Sequence, residues 1–214
     1  MHKVIVIGGG SFQGKSLVAI HIAREFNIPT IISTDMVRNI LRAMYPGINY
    51  LMTSTYLMPP QDLTKQMEAV SSIILKVLPI YEQRGEDVII EGMHLSEDFL
   101  RKLSRRNNVF MVCLDNQLPL RERLRFKAIT RTRVEYRDPR TGHIVYDTID
   151  VSKLDWTPYM RYATRIEEIH REIVGWFKSL GLPIIRFTNV EEAKRKVASL
   201  VRDWLKHFGE LTTY

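Results

Sequence analysis

Lys3-Val4-Ile5-Val6-Ile7-Gly8-Gly9-Gly10-Ser11-Phe12-Gln13-Gly14-Lys15-Ser16-Leu17 is the stretch that decides the fold. Residues 3–7 are short, mostly apolar and rich in β-branched side chains, which predicts a strand buried on both faces. Residues 16–26 carry Leu17, Ile20, Ile22, Ala23 and Phe26 at spacings suited to one face of a helix. Between them, residues 9–16 fill every specified position of G-x-x-x-x-G-K-[ST]. A strand, a glycine-rich turn and a helix in that order make a parallel α/β domain the expected class.

The same turn has a chemistry. Gly9 and Gly14 let the backbone curl so that successive N–H groups point inward, where the helix N-terminus adds its dipole. An anion held there meets Gly9, Gly10, Ser11, Phe12, Gln13, Gly14, Lys15, Ser16 and Leu17. Lys15 supplies a point charge for β/γ-phosphate oxygens, and the Ser16 hydroxyl is placed to ligate Mg²⁺. The competing dinucleotide fingerprint fails, because Gly8 and Gly10 put Gln13 where its third glycine belongs. The stretch predicts a nucleotide-triphosphate site.

The rest of the 214 residues fits one α/β domain with a single apolar core. Five short apolar segments, 3–7, 30–33, 87–90, 109–114 and 183–187, predict five parallel strands. Helical patterns at 35–43, 62–84, 97–106, 118–129, 158–179 and 190–208 separate them, with Pro79 expected to kink the second. Asp35 or Thr34 is the expected cap of the first. Segment 45–60 reads as too polar and broken for core, and 131–157 carries a predicted hairpin around Asp138 to Gly142. Loops of that length tend to be lids or binding loops, so a lid insertion is expected at about 121–157.

Composition narrows the function. No run approaches the ~20 apolar residues of a membrane span. The chain enters a strand at once without a leader pattern, so a cytoplasmic protein is expected. Cys113 stands alone in an apolar run and reads as a core thiol. The net charge of +7 is concentrated, since residues 101–140 alone hold twelve Lys/Arg against four acids. Ten of those twelve are arginine, the side chain suited to bidentate phosphate contacts.

Strand ends supply the remaining candidates. Ile31-Ile32-Ser33-Thr34-Asp35 ends the second strand with a carboxylate at the edge where ligands bind in open α/β sheets. Asp35 can orient an acceptor hydroxyl, take its proton or act through Mg²⁺, and Arg38 and Arg42 follow on one helix face as receptors for an anionic group. Glu91 and Gly92 end the third strand, Glu91 at a place to hold Mg²⁺ through water and Gly92 allowing backbone close to phosphate. His94 reads as a packing or hydrogen-bonding residue. Arg121, Arg125, Arg131 and Arg133 are candidates to stabilise a transferring phosphoryl group.

With these residues in view, the chain resembles the P-loop kinases related to nucleoside monophosphate kinases. Within them it is most similar to the archaeal 2-phosphoglycerate kinase family. The resembling stretches are GGGSFQGKS, ISTDMVRNILR, IIEGMHL and RYATRIEEIHREIV. The resemblance implies a three-layer P-loop NTPase fold with a five-stranded parallel sheet and a lid insertion. It also implies ATP and Mg²⁺, with Asp35 and Arg38 near the acceptor and Arg121 and Arg125 in the lid. Segments 45–60 and 134–156 lie outside it.

Three readings of function follow. The leading one is a kinase acting on a hydroxyl of a small anionic acceptor, with 2-phosphoglycerate one candidate. The second is a nucleic-acid kinase or RNA-binding ATPase, with Tyr136, Tyr146 and Trp156 interleaved among the arginines as stacking platforms. The third is a nucleotide-controlled interaction protein, against which Asn189 stands alone, without an N-K-x-D run. The oligomeric state is not legible in the sequence.

Overall fold

The structure is a computed structural model and describes residues 2–124, 133–137, 144–148, 160 and 162–210. The strands are β1 (Val4–Gly8), β2 (Thr30–Ser33), β3 (Val88–Gly92), β4 (Val109–Asn116), β5 (Arg133–Arg137), β6 (Ile144–Thr148) and β7 (Ile184–Phe187). The helices are α1 (Lys15–Glu25), α2 (Thr34–Met44), α3 (Asn49–Met52), α4 (Pro60–Arg84), α5 (Glu97–Leu103), α6 (Ala163–Ser179) and α7 (Val190–Glu210). Residues 120–124 are also helical. Five strands form a parallel sheet in the order β2-β3-β1-β4-β7, while β5 and β6 pair as an antiparallel hairpin.

Alternation along β1 explains why this strand sits at the centre. Val4 and Val6 enter the core on one face of the sheet, and Ile5 and Ile7 enter the core on the other. β3 and β4 repeat the pattern, with Val88, Ile90, Met111 and Cys113 on the first face and Ile89, Phe110, Val112 and Leu114 on the second. Each such side chain contributes about 1.5–3 kcal/mol when fully buried, so a strand apolar at every position is stable only between two helical layers. Residues of α4, α5 and α6 cover the first face, and residues of α1 and α7 cover the second. This is the expected three-layer α/β architecture.

Helix ends follow local chemistry. Pro60 occupies the first turn of α4, where its missing N–H costs nothing, and Gly85 ends the helix with φ 67°. Pro79 lies inside one continuous α4, so the helix is not interrupted there. Ser96 caps α5 by accepting from the Phe99 N–H at 3.2 Å. Two expectations are corrected. α2 starts at Thr34 with Ser33 as its cap residue and no side-chain cap bond, so neither Asp35 nor Thr34 caps it. Segment 45–60 is not excluded from the core: Leu51, Thr55 and Met58 are buried, and residues 49–52 form a helical turn. Its buried polar residue, Thr55, bonds Gln66 and His94 beyond the segment, which apolar periodicity does not register.

The register decides where a site can be. Gly8 pairs with Gly92 on one side and Cys113 on the other, and Ser33 pairs with Glu91. The chain leaves β1 toward β2 on one side and later reaches β4 on the other, so the reversal of strand order lies beside β1. The loop after Gly8, the residues after Gly92 and the start of α2 therefore meet at one sheet edge.

Candidate functional site

The turn between β1 and α1 is a wound loop. Gly9, Phe12 and Gly14 have φ of 137°, 63° and 79°. Lys15 begins α1, is buried, and donates from Nζ to the Gly10 carbonyl at 2.6 Å. The amides that open α1 have no acceptor within the helix and face the mouth of the loop by helix geometry. Ser16 Oγ donates to Glu91 Oε1 at 3.2 Å, so two of the three expected metal donors meet although 75 residues separate them, while Asp35, the third, sits on α2 beside His94. A hydroxyl and a buried carboxylate fit Mg²⁺, which takes one or two protein oxygens and fills its remaining sites with water and phosphate.

Other loop side chains face inward. Gln13 is fully buried and its Oε1 accepts from the Asn116 N–H at 2.6 Å, tying the loop to the end of β4. Phe12 packs with Tyr56 and Tyr162 against Leu120, Leu124 and Ile166. Ser11 Oγ accepts from the Tyr56 hydroxyl and donates to Met93 Sδ at 3.2 Å. Gly10 donates its N–H to His170 Nδ1 at 3.1 Å, while His170 Nε2 lies 3.1 Å from Asp115 Oδ1. Leu17 is exposed at the helix start.

Asp35 lies in the first turn of α2 with its side chain 64% exposed, and its Oδ1 is 3.4 Å from His94 Nδ1. His94 is buried in a ring of polar groups whose bond directions can be assigned. Gln66 Nε2 donates to the Tyr50 carbonyl at 2.6 Å, which leaves Gln66 Oε1 to accept from the Thr55 hydroxyl at 3.3 Å. Thr55 Oγ1 then accepts from His94 Nε2–H at 3.2 Å. Nδ1 is therefore the unprotonated nitrogen. Burial pushes the imidazole down to about 4, against the pull of Asp35 and with the help of the Arg38 and Lys15 charges. Asp35 thus receives no proton from His94.

Arg38 and Lys15 both act on His94, which brings Asp35, Arg38 and the loop lysine into one electrostatic neighbourhood. Arg42 reaches Asn39 Oδ1 at 3.4 Å, along the helix. Gly92 has a packing reason: an added Cβ would lie 1.7 Å from Thr34 Oγ1, so the glycine admits the start of α2. Arg121 is exposed. The arginine that the fold buries on that helical turn is Arg123, bonded to Glu167. Arg125 and Arg131 lie outside the described residues, and Arg133 falls on β5.

The basic run is divided. Arg101, Lys102 and Arg106 pair with Glu97, Asp98 and Glu82. Arg101 and Lys102 lie on α5, and Arg106 lies between α5 and β4. A cavity of about 510 Å³ between α4, α5 and α6 contains none of the loop residues. Cys113 is fully buried and its thiol is pushed up to about 12 by burial, as a core thiol should be. No described helix is long and apolar enough to cross a membrane.

Thr55, Tyr56, Asp115, Arg123 and His170 were not among the residues that sequence reasoning selected. One signal was present. Asp115 immediately follows the predicted strand 109–114, the same position that singled out Asp35 and Glu91. His170 sits within the RYATRIEEIHREIV stretch.

No protein-family model matches the chain. It is 27% identical over 97% of its length to the 2-phosphoglycerate kinase of Methanocaldococcus jannaschii, of which it covers 66%. The corresponding protein of Methanothermobacter thermautotrophicus is 26% identical, with 87% of this chain and 61% of that one covered. The chain therefore spans about two thirds of the length of these curated relatives. Among solved structures, a gluconokinase from Sinorhizobium meliloti superposes with TM-score 0.51 and 17% identity, covering 98% of this chain and 97% of that one. Shikimate kinase from Acinetobacter baumannii gives 0.50 and 13%, with 100% and 97% covered. The chain has the fold of the P-loop kinases and is similar, over nearly its whole length, to archaeal 2-phosphoglycerate kinases.

Proposed function

We propose that the protein is an ATP- and Mg²⁺-dependent kinase that phosphorylates a hydroxyl of a small anionic acceptor, with 2-phosphoglycerate the acceptor of choice. The observation that carries this reading is the convergence of three groups at one sheet edge. They are the Lys15 loop, the Ser16–Glu91 oxygen pair at 3.2 Å, and the Asp35 carboxylate beside buried His94. The similarity to 2-phosphoglycerate kinases supports the choice of acceptor. So does its chemistry, since 2-phosphoglycerate offers a hydroxyl next to two anionic groups, and Arg38 and Arg42 stand on the helix that carries Asp35.

In this mechanism the loop amides and Lys15 hold the β- and γ-phosphates in line with the acceptor. Ser16 and Glu91 would hold Mg²⁺, which would supply charge neutralisation to the phosphates. Asp35 takes the acceptor hydroxyl proton as the oxygen–phosphorus bond forms and the γ-phosphorus to bridging-oxygen bond breaks. His94, neutral and fixed by Thr55, lies beside Asp35 without donating a proton to it, so it does not compete as an acid.

Incubation with γ-labelled ATP, Mg²⁺ and a panel of phosphorylated hydroxy acids is the test. Label is expected on 2-phosphoglycerate, with a stoichiometric amount of ADP. Release of ADP and inorganic phosphate with no labelled acceptor overturns the assignment.

A further inference from the structure

We propose that His170 is a positioning residue for the phosphate-binding loop: its neutral imidazole grips the Gly10 N–H, and protonation of the ring releases the loop. This rests on the reading of residues 9–16 as a nucleotide loop and goes beyond it, because His170 touches no transferring group.

The tautomer follows from the partners. A backbone N–H only donates, so the Nδ1 that receives the Gly10 N–H at 3.1 Å carries no proton. The proton is on Nε2, 3.1 Å from Asp115 Oδ1. Asp115 Oδ2 in turn accepts from Arg186 Nε at 3.3 Å. A chain of bonds thus runs from β7 through the end of β4 and α6 into the loop, across 160 residues of sequence at its last step. Both ring nitrogens are used, and the ring is buried.

Contact geometry reinforces the grip. An added Cβ at Gly10 would lie 2.6 Å from His170 Cβ, so the loop backbone presses directly on α6. The Gly10 carbonyl is held from the other side by Lys15 Nζ. The loop's first turn is therefore clamped on both of its hydrogen-bonding groups, while the amides opening α1 remain for an anion. When the ring gains a second proton, Nδ1 becomes a donor facing a donor, and the bond to Gly10 is lost.

The groups facing the ring set the direction of its titration. Burial lowers the imidazole from its usual range, as do Lys15 on α1 and Arg123 on the helical residues 120–124. Asp115 on β4 raises it, and burial prevails. Arg186 on β7 reaches the ring only through Asp115, and Glu167 on α6 is engaged by Arg123. His170 is thus neutral and gripping above its ordinary range, and the grip is lost as pH falls below that range.

The test measures the dissociation constant of a fluorescent, non-hydrolysable Mg-ATP analogue from pH 8 down to about pH 5, the range that spans imidazole titration. His170→Phe keeps a ring but no acceptor and should weaken binding about tenfold at neutral pH, the cost of one orphaned buried donor. His170→Asn places Oδ1 where Nδ1 was and cannot titrate. It should restore affinity to within about threefold of wild type at neutral pH, the worth of the Asp115 bond it lacks. It should also bind more tightly than wild type at the acid end. Using the Asn variant as reference cancels the protonation of the nucleotide itself. In wild-type protein the Gly10 amide proton resonance should move with the same midpoint, a readout that needs no variant to fold. Identical pH profiles for wild type and His170→Asn overturn the inference, as does undiminished binding by His170→Phe. Absence of binding by the wild type, by contrast, overturns the nucleotide-loop reading itself.

Discussion

In the proposed function, the nucleotide half of this site and its acceptor half are built in opposite ways. The nucleotide half is nine consecutive residues, 9–17, that run from the end of the central strand into its helix, with Gln13 and Lys15 buried and the backbone carrying the binding groups. The acceptor half is assembled from the edge strand's end, the residues after β3, and segment 45–60, with Asp35 exposed above a buried ring of side chains. Backbone-built sites tolerate little change in what they bind, since every phosphate looks alike. Side-chain-built sites at an edge can change substrate by changing a few residues. On the proposed function, the difference teaches where specificity would reside: the loop would set the donor, and α2 and its neighbours the acceptor.

The hardest test of that division is Lys15→Ala. It should lower phosphoryl transfer by about 10³-fold or more while leaving thermal stability within a few degrees, because the side chain supplies charge to the transition state and little packing. Near-normal turnover would end the kinase reading.

Asp35→Asn comes next. A fall in kcat of about 10²–10⁴-fold is expected from loss of the proton acceptor. Since Asp35 does not cap α2, melting temperature should hardly move. A mutant that is destabilised yet fully active would make Asp35 a structural residue and leave the acceptor half without its base.

His94 gives a prediction in pH. Its folded value near 4 lies below the ordinary imidazole value of 6.5, so the unfolded chain binds the proton more readily. The stability it contributes is full above about pH 6.5 and is lost as pH falls toward 4, up to about 3 kcal/mol. Denaturant titrations at several pH values should show a shallower acid slope for His94→Gln than for wild type. Equal slopes would mean that the ring is solvated and that Asp35 lacks a fixed neighbour.

The smallest effect concerns the tie between the halves. Thr55 bonds His94 on the acceptor side, and the adjacent Tyr56 bonds Ser11 in the loop. Tyr56→Phe removes one hydroxyl and should cost about 1 kcal/mol. It should appear as a several-fold rise in the KM of both substrates with kcat little changed. A change confined to one substrate would show that the two halves act independently.

How much of this was legible depended on distance along the chain. β1, β3 and β4 announced themselves because each is apolar at nearly every position, and the phosphate loop because its chemistry is contiguous. The helical residues 120–124 show where local reading stopped. Arg121 and Arg125 share a face by spacing, but the face that packs carries Leu120, Arg123 and Leu124, and the buried arginine there is bonded by Glu167 on a distant helix. Segment 45–60 looked too polar for core because Thr55 gives no apolar signal, and its partners Gln66 and His94 lie 11 and 39 residues away. Arg125 and Arg131 lie outside the described residues and stay expectations.

The bond from Lys15 Nζ to the Gly10 carbonyl has a consequence for selectivity. The loop's cation already has an internal ligand, so an arriving phosphate does not fall into a vacant charge but must take the ammonium away from an oxygen. Attraction is then a difference between two ligands. A single weakly charged anion gains little by the exchange, whereas a chain of linked phosphates engages the helix amides and the lysine together and gains on both. On the proposed function, such a loop would discriminate by number of charges before any base or sugar is read.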